Sequence, residues 1–220
     1  MLSAARQARL DKWLPEIEII LPETASQQQQ ILPQELFDSS KDDYWLEIGF
    51  GKGEHLAWQA EQHPNLGIMG CEPFLNGISG LVDHVDQKNL KNVRIFTEDA
   101  RLLMDHLPDQ CLGRAFILFP DPWPKARHYK RRFVGPGNIA VLARLLKDGA
   151  ELRIASDHKD YCRWTMAHML NSEDFLWVSD QADDWQKRPD DWPATRYEIK
   201  AKAQGRKSRY LRFIRKPRNP

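Results

Sequence analysis

The chain is short of cysteine, of long apolar runs and of the usual nucleotide-binding signatures, and each shortage excludes something. Its three cysteines, Cys71, Cys111 and Cys162, stand far apart in 220 residues and form no C-x-x-C pair. An odd, scattered set offers no disulfide framework and fits free thiols in a reducing compartment, the cytoplasm. No stretch approaches the roughly 18 apolar residues of a membrane helix. The opening segment MLSAARQARLDKW lacks the apolar core of an export signal. The seven histidines show no metal-ligand spacing with carboxylates or cysteines; His158 and Cys162 share a helix face, but two ligands do not close a zinc site. No G-x-S-x-G nucleophile elbow and no internal repeat are present. No metal and no membrane partner are expected, and monomer and homodimer both stay open.

What is present suits one folded α/β domain. Hydrophobic residues are 41% and charged residues 29%, and eight Trp, nine Phe and five Tyr can fill a core. The net charge of +1 hides an asymmetry: residues 196–220 carry ten Lys/Arg against the single acid Glu198, so the rest of the chain is acidic. A second basic run, KARHYKRR, spans Lys125 to Arg132. Two concentrated basic segments in a neutral chain point to a polyanion such as nucleic acid.

Residues 1–40 read as an irregular N-terminal arm, with Pro15, Pro22, Pro33 and the run Gln27 to Gln30, packing in part through Trp13 and Leu14. From residue 41 a single domain is expected. Apolar runs at 44–50, 66–72, 92–99, 113–121 and 151–157 alternate with helical stretches at 53–62, 74–88, 100–107, 136–147 and 158–170, with Gly149 as a helix stop. Late strands are expected at 175–179 and 208–216, the second with both faces covered. Trp185 and Trp192 read as core anchors before stacking rings. The alternation predicts a mostly parallel twisted sheet, helices on both faces, and a ligand beyond the carboxyl ends of the strands.

Those strand ends carry acids. The first ends in Glu47-Ile48-Gly49-Phe50-Gly51-Lys52-Gly53. A dinucleotide fingerprint needs Gly or Ala three residues beyond its second glycine, and Glu54 and Leu56 stand at the two candidate places. A P-loop needs glycine where Leu46 stands and Ser/Thr after Lys52. These failures disfavour a nicotinamide dehydrogenase. An acid two residues before a G-x-G-x-G turn suits instead a ligand with cationic groups, as S-adenosylmethionine has. Glu72 ends the second strand, spaced to receive ribose hydroxyls. Asp99-Ala100 ends the third, where an acid can accept from an adenine amino group or cap a helix. The fourth ends in Phe119-Pro120-Asp121-Pro122-Trp123-Pro124-Lys125, an acid fenced by prolines beside an indole and a basic run. Asp157 ends the fifth.

In order, LEIGFGKG, GCEP, EDA, FPDPWPKARHYKRR, ASD and WPATRYE resemble the bacterial tRNA (guanine-N7)-methyltransferases from Tyr44 onward. Phe119 to Arg132 is the most specific part; the acid-glycine turn alone marks a class I methyltransferase. The resemblance implies a Rossmann-like sheet, S-adenosylmethionine as methyl donor, and methylation of a guanine in the tRNA variable loop, at position 46. It implies cofactor contacts at Glu47, Gly49, Gly51, Gly53, Glu72, Asp99, Ala100 and Asp121, a catalytic role for Asp121, and substrate contacts at Lys125, Asp157, Thr195, Arg196, Tyr197 and Glu198. The chain departs from the family's habit at Lys52, Pro73, Phe74 and Pro124, which bears on contact details. Lys125, Arg127, Lys130, Arg131, Arg132 and the tail from Arg196 are expected to meet phosphates. A methyltransferase for another acceptor and a non-catalytic RNA-binding module on the same scaffold are the alternative readings.

Overall fold

The computed structural model describes residues 2–22 and 29–218. The five apolar runs form parallel strands β1 (Tyr44–Ile48), β2 (Gly67–Cys71), β3 (Val93–Phe96), β4 (Leu112–Leu118) and β5 (Leu146–Ser156). With β6 (Phe175–Trp177) and β7 (Arg209–Arg215) they make one sheet, ordered β3-β2-β1-β4-β5-β7-β6. β7 runs antiparallel to both its neighbours. The strand order reverses between β1 and β4, so their carboxyl ends open the crevice where such sheets hold ligands.

Both faces are covered, which is why the strands read as apolar runs rather than alternating ones. Leu46 and Ile48 of β1 pack into a core with α4 (Ala100–His106), α5 (Pro136–Leu145) and α6 (Lys159–Leu170). Trp45 of the same strand packs on the other face with α2 (Glu54–Gln62) and α3 (Leu75–Lys88). β7 likewise sends Leu211 and Phe213 to the first core and Tyr210 to the second. Trp192 is a core residue, and Trp185 packs at the core's margin.

Two local expectations fail. The arm over residues 1–40 is not irregular throughout: Ala4–Ile17 is a helix, α1. Leu10, Trp13 and Ile17 recur at helical spacing and bury against the α3 face. The Trp13 indole donates to Asp86 at 2.7 Å, and Arg6 and Arg9 pair with Asp83. This tertiary packing outweighs the helix penalty of Pro15. Gln27 and Gln28 of the glutamine run lie outside the described residues. Gly149 does not stop α5. That helix ends at Leu145, the chain passes directly into β5, and Gly149 (φ +80°) lies inside that strand. The helix end is held from elsewhere, by Arg215 and Arg218 donating to the carbonyl of Ala143 and by Arg218 to those of Arg144 and Leu146.

Candidate active site

After β1 the chain turns through Gly49, Gly51 and Gly53, all left-handed at φ +70°, +59° and +78°. A side chain at position 51 would also strike the Tyr197 ring, 2.9 Å from its Cε2, so glycine alone allows both the turn and this approach. Glu72, just past β2, accepts from the Gly51 N–H at 2.9 Å and from the Phe74 N–H at 3.1 Å. Burial raises its pKa, the two N–H bonds oppose that rise, and the charge of Asp121 adds to it. α3 is pressed against the same turn: a methyl group on Gly77 would collide with the Gly51 carbonyl and with Cγ of Glu72.

A cavity of about 420 Å³ opens here, lined by the turn, Glu72, Phe74, Asn76, the end of β4 and Arg196-Tyr197. A second, of about 380 Å³, adds Asp99, Ala100, Arg101, Trp123 and Arg131. The two share Ile48, Gly49, Pro73, Pro120, Asp121 and Phe133, and so form one cleft over the carboxyl edge of the sheet. Each half has the size of a small-molecule site.

β4 ends at Leu118, three residues short of the expected limit, because the backbone at Phe119 turns left-handed (φ +53°). Trp123 is left-handed as well (φ +40°). Such conformations cost a non-glycine residue about 1–3 kcal/mol and persist only where the surroundings enforce them. Here the Phe119 N–H donates to the Ala155 carbonyl at 2.8 Å, and Arg132 donates to the carbonyls of Pro122 (2.9 Å) and Trp123 (3.4 Å). Asp121 stands between the two strained residues. It is exposed, borders both cavities, and its carboxylate has no hydrogen-bond or ion-pair partner among the described residues.

The sequence matches a family model described as a putative methyltransferase over residues 41–211. It is 46% identical over 217 residues to the tRNA (guanine-N(7)-)-methyltransferase of Rhodospirillum rubrum, an alignment covering 99% of this chain and 85% of that one. The protein of the same name from Zymomonas mobilis subsp. mobilis is 46% identical over 211 residues, covering 96% and 88%. This chain belongs to the tRNA (guanine-N(7)-)-methyltransferase family. The sheet is also similar, as a fold, to the 16S rRNA methyltransferase KamB, with a TM-score of 0.56, 16% identity, and 83% and 92% of the two chains covered.

Within this methyltransferase the expected site residues divide. Gly49, Gly51, Glu72, Asp99, Ala100, Asp121, Arg196 and Tyr197 come together around the cleft. Glu47 does not. Strand alternation turns it under α2, where its side chain is 3% exposed and accepts from His55 Nδ1 at 2.7 Å. It borders a crevice of about 10 Å³, room for about one water, which shares Gly49, Leu118, Phe119 and Tyr197 with the first cavity. Gly53 is buried against Leu81. Asp99 lies in the cleft but is engaged. It caps α4 by accepting from the Arg101 N–H at 3.0 Å, and its carboxylate accepts from the Arg101 guanidinium at 2.9 and 2.6 Å. Hydrogen bonding to Arg101 holds its pKa below the usual carboxylate range. On the substrate side, Thr195 is a buried N-cap accepting from the Glu198 N–H, Glu198 faces Arg188 at 3.3 Å, and Asp157 pairs with Arg206 at 2.8 Å.

The basic segments are more structural than their charge suggests. Lys125, Arg127, Lys130 and Arg131 are exposed on a 3-10 turn, Ala126–Arg131, and Arg131 stacks on the Trp123 ring at 4.8 Å. Arg132 is no phosphate contact: it is buried, pairs with Asp160 at 2.5 Å, and lies 3.8 Å over the Tyr129 ring. In the tail, Arg212 pairs with Glu151, Arg215 with Asp174 and Arg218 with Asp148. Arg196, Lys200, Lys202 and Lys207 are exposed and make no ion pair among the described residues. Asn76 and Arg101 line the cleft without having been singled out; the signal for Arg101 was its place two residues after a capping acid.

Proposed function

We propose that this chain transfers a methyl group from S-adenosylmethionine to N7 of a guanine in the tRNA variable loop, position 46, in the cytoplasm. The observation that carries this reading is Asp121: a carboxylate with no partner among the described residues, on a backbone held in a strained turn, on the wall common to two cavities. Kinship with proteins named for this reaction and the free thiols of the described residues support it.

The cleft fits the cofactor on its own terms. Glu72 is oriented by two N–H bonds and offers its remaining lone pairs to ribose hydroxyls. The absence of a Cβ at Gly51 and Gly77 leaves the turn close against Tyr197 and α3. Two carboxylates, Glu72 and Asp121, border one cavity, and Asp121 raises the pKa of Glu72. Such like-charge crowding is relieved by a cationic occupant. Gly49, Gly51, Glu72, Asp99, Ala100 and Asp121 would hold the cofactor, and Glu47 would steady the turn from below. When bound, S-adenosylmethionine supplies a methyl group already activated by its sulfonium.

Guanine N7 has an in-plane lone pair and no proton, so no residue is needed to remove one from it. The residues must orient the base and exclude water. Asp121 faces the guanine as positive charge spreads into its ring, an interaction stronger in the transition state than in the ground state. Lys125, Arg127, Lys130 and Arg131 hold phosphates on one side of the cleft, and Arg196 with its helix α8 (Arg196–Ala203) on the other. Tyr197, Thr195, Glu198 and Asp157 position that second wall. The test is transfer of labelled methyl to unmodified tRNA by the wild type and by D121A. Loss of transfer of about 100-fold or more at saturating S-adenosylmethionine, with melting temperature retained, is expected; wild-type turnover by folded D121A contradicts the role.

A further inference from the structure

Beyond the cleft lies a cavity of about 510 Å³ between α6 and strands β6 and β7 that the proposed reaction does not use. Its walls combine two indoles, Trp177 and Trp185, with three cations, Lys159, Arg163 and Arg209. Arg209 lies 5.3 Å over the Trp185 ring. Lys159 and Arg163 are exposed and make no ion pair among the described residues. The Trp177 Nε1–H is buried and has no acceptor among the described residues. Among the acids near along the chain, Asp157 pairs with Arg206, Asp160 with Arg132 and Asp183 with Lys187, and Asp184 accepts from the N–H groups of Asp180 and Gln181.

Its position links it to the cleft. Lys159 begins α6 just after the carboxyl end of β5, and Arg209 pairs in register with Ser156 at that same end. The cavity's basic rim therefore begins at the same carboxyl edge of the sheet beyond which Asp121 lies, and β7 is two strand spacings, about 10 Å, from β4. A flat ring against an indole and a phosphate on unpaired cations describe one kind of occupant. We infer that this cavity is a second RNA subsite, which takes an unstacked nucleotide flanking the target guanine, its base against Trp185 and its phosphate on Lys159 and Arg163. The inference rests on the reading that the substrate is tRNA.

Unmodified tRNA is titrated against full-length protein at several salt concentrations. K159Q/R163Q, both on the exposed rim, is expected to weaken binding about tenfold and to lower the log–log salt slope by about one, with S-adenosylmethionine affinity unchanged. W185A is expected to weaken binding about tenfold at an unchanged salt slope, and W185F to restore most of it, a pattern that a plain basic patch would not give. If wild-type protein binds tRNA and K159Q/R163Q binds it equally well with the same slope, the subsite is refuted while the main reading stands. If K159Q/R163Q weakens binding but folded W185A does not, the site is an electrostatic patch and the nucleotide subsite is refuted. If wild-type protein shows no salt-dependent tRNA binding, the reading beneath it fails too.

Discussion

Arg131 and Arg132 are adjacent, identical in charge and opposite in expected behaviour. Arg132 is 5% exposed and holds the strained segment after β4 through the carbonyls of Pro122 and Trp123. Two hydrogen bonds from a charged donor, one of them long, contribute about 2–3 kcal/mol together. The guanidinium on the Tyr129 ring, with Trp164 at 5.1 Å, adds about 1–2 kcal/mol. The pair with Asp160, whose side chain is 46% exposed, adds at most about 1 kcal/mol. R132A is therefore expected to lose about 3–6 kcal/mol of stability, a fall of about 10 °C or more in melting temperature for a domain of this size. Methyl transfer should fall with it at temperatures where the variant is still folded, because Asp121 lies in the segment Arg132 clamps. R131Q should melt within about 2 °C of the wild type, lower tRNA affinity, and reduce the salt slope by about one. Thermal melts and tRNA titrations of both variants are the assay. If R132A melts like the wild type and lowers only the salt slope, Arg132 is a phosphate contact and the clamp is refuted.

Glu72 gives a pH signature with two opposite signs. Its folded pKa is raised above the ordinary 4.5, so between these values the folded state binds the extra proton: apo stability rises as pH falls through that window and is lost as pH rises through the folded value. Affinity for S-adenosylmethionine should fall over the same window, since protonation removes an acceptor for the ribose, and E72Q should abolish that dependence; calorimetric titration at several pH values checks it. G77A places a methyl group against the Gly51 carbonyl and Glu72, so cofactor affinity should fall at least tenfold while α3, where alanine is the better helix former, stays intact by circular dichroism. D121A, whose carboxylate has no partner to lose, should melt within about 0.5 kcal/mol of the wild type.

The sheet was legible because each strand is a short apolar run closed by an acid or a glycine turn, a pattern that survives without knowledge of strand order. The acids at 72, 99 and 121 were found for the same reason. Glu47 could be placed along its strand but not across it. With both faces of β1 buried, hydrophobicity gives no contrast to say which way an acid points, and the partner that fixes it, His55, comes from the next helix. Charge alone could not separate Arg131 from Arg132, or the tail's structural arginines from its free lysines. Their partners lie up to 75 residues away, as Ala143 does from Arg218. α1 was missed because Pro15 breaks the local pattern, while Asp83 and Asp86 of α3 hold the helix in place. The left-handed Phe119 and Trp123 carry no residue signature at all, since neither is a glycine.

The most direct test labels unmodified tRNA with methyl from S-adenosylmethionine, digests half to nucleosides, and treats half with borohydride and aniline, which breaks the chain at 7-methylguanosine. Label is expected in 7-methylguanosine alone, with one break, in the variable loop. Label in any other nucleoside contradicts the assignment of atom and base, and a break outside that loop contradicts the assignment of substrate position.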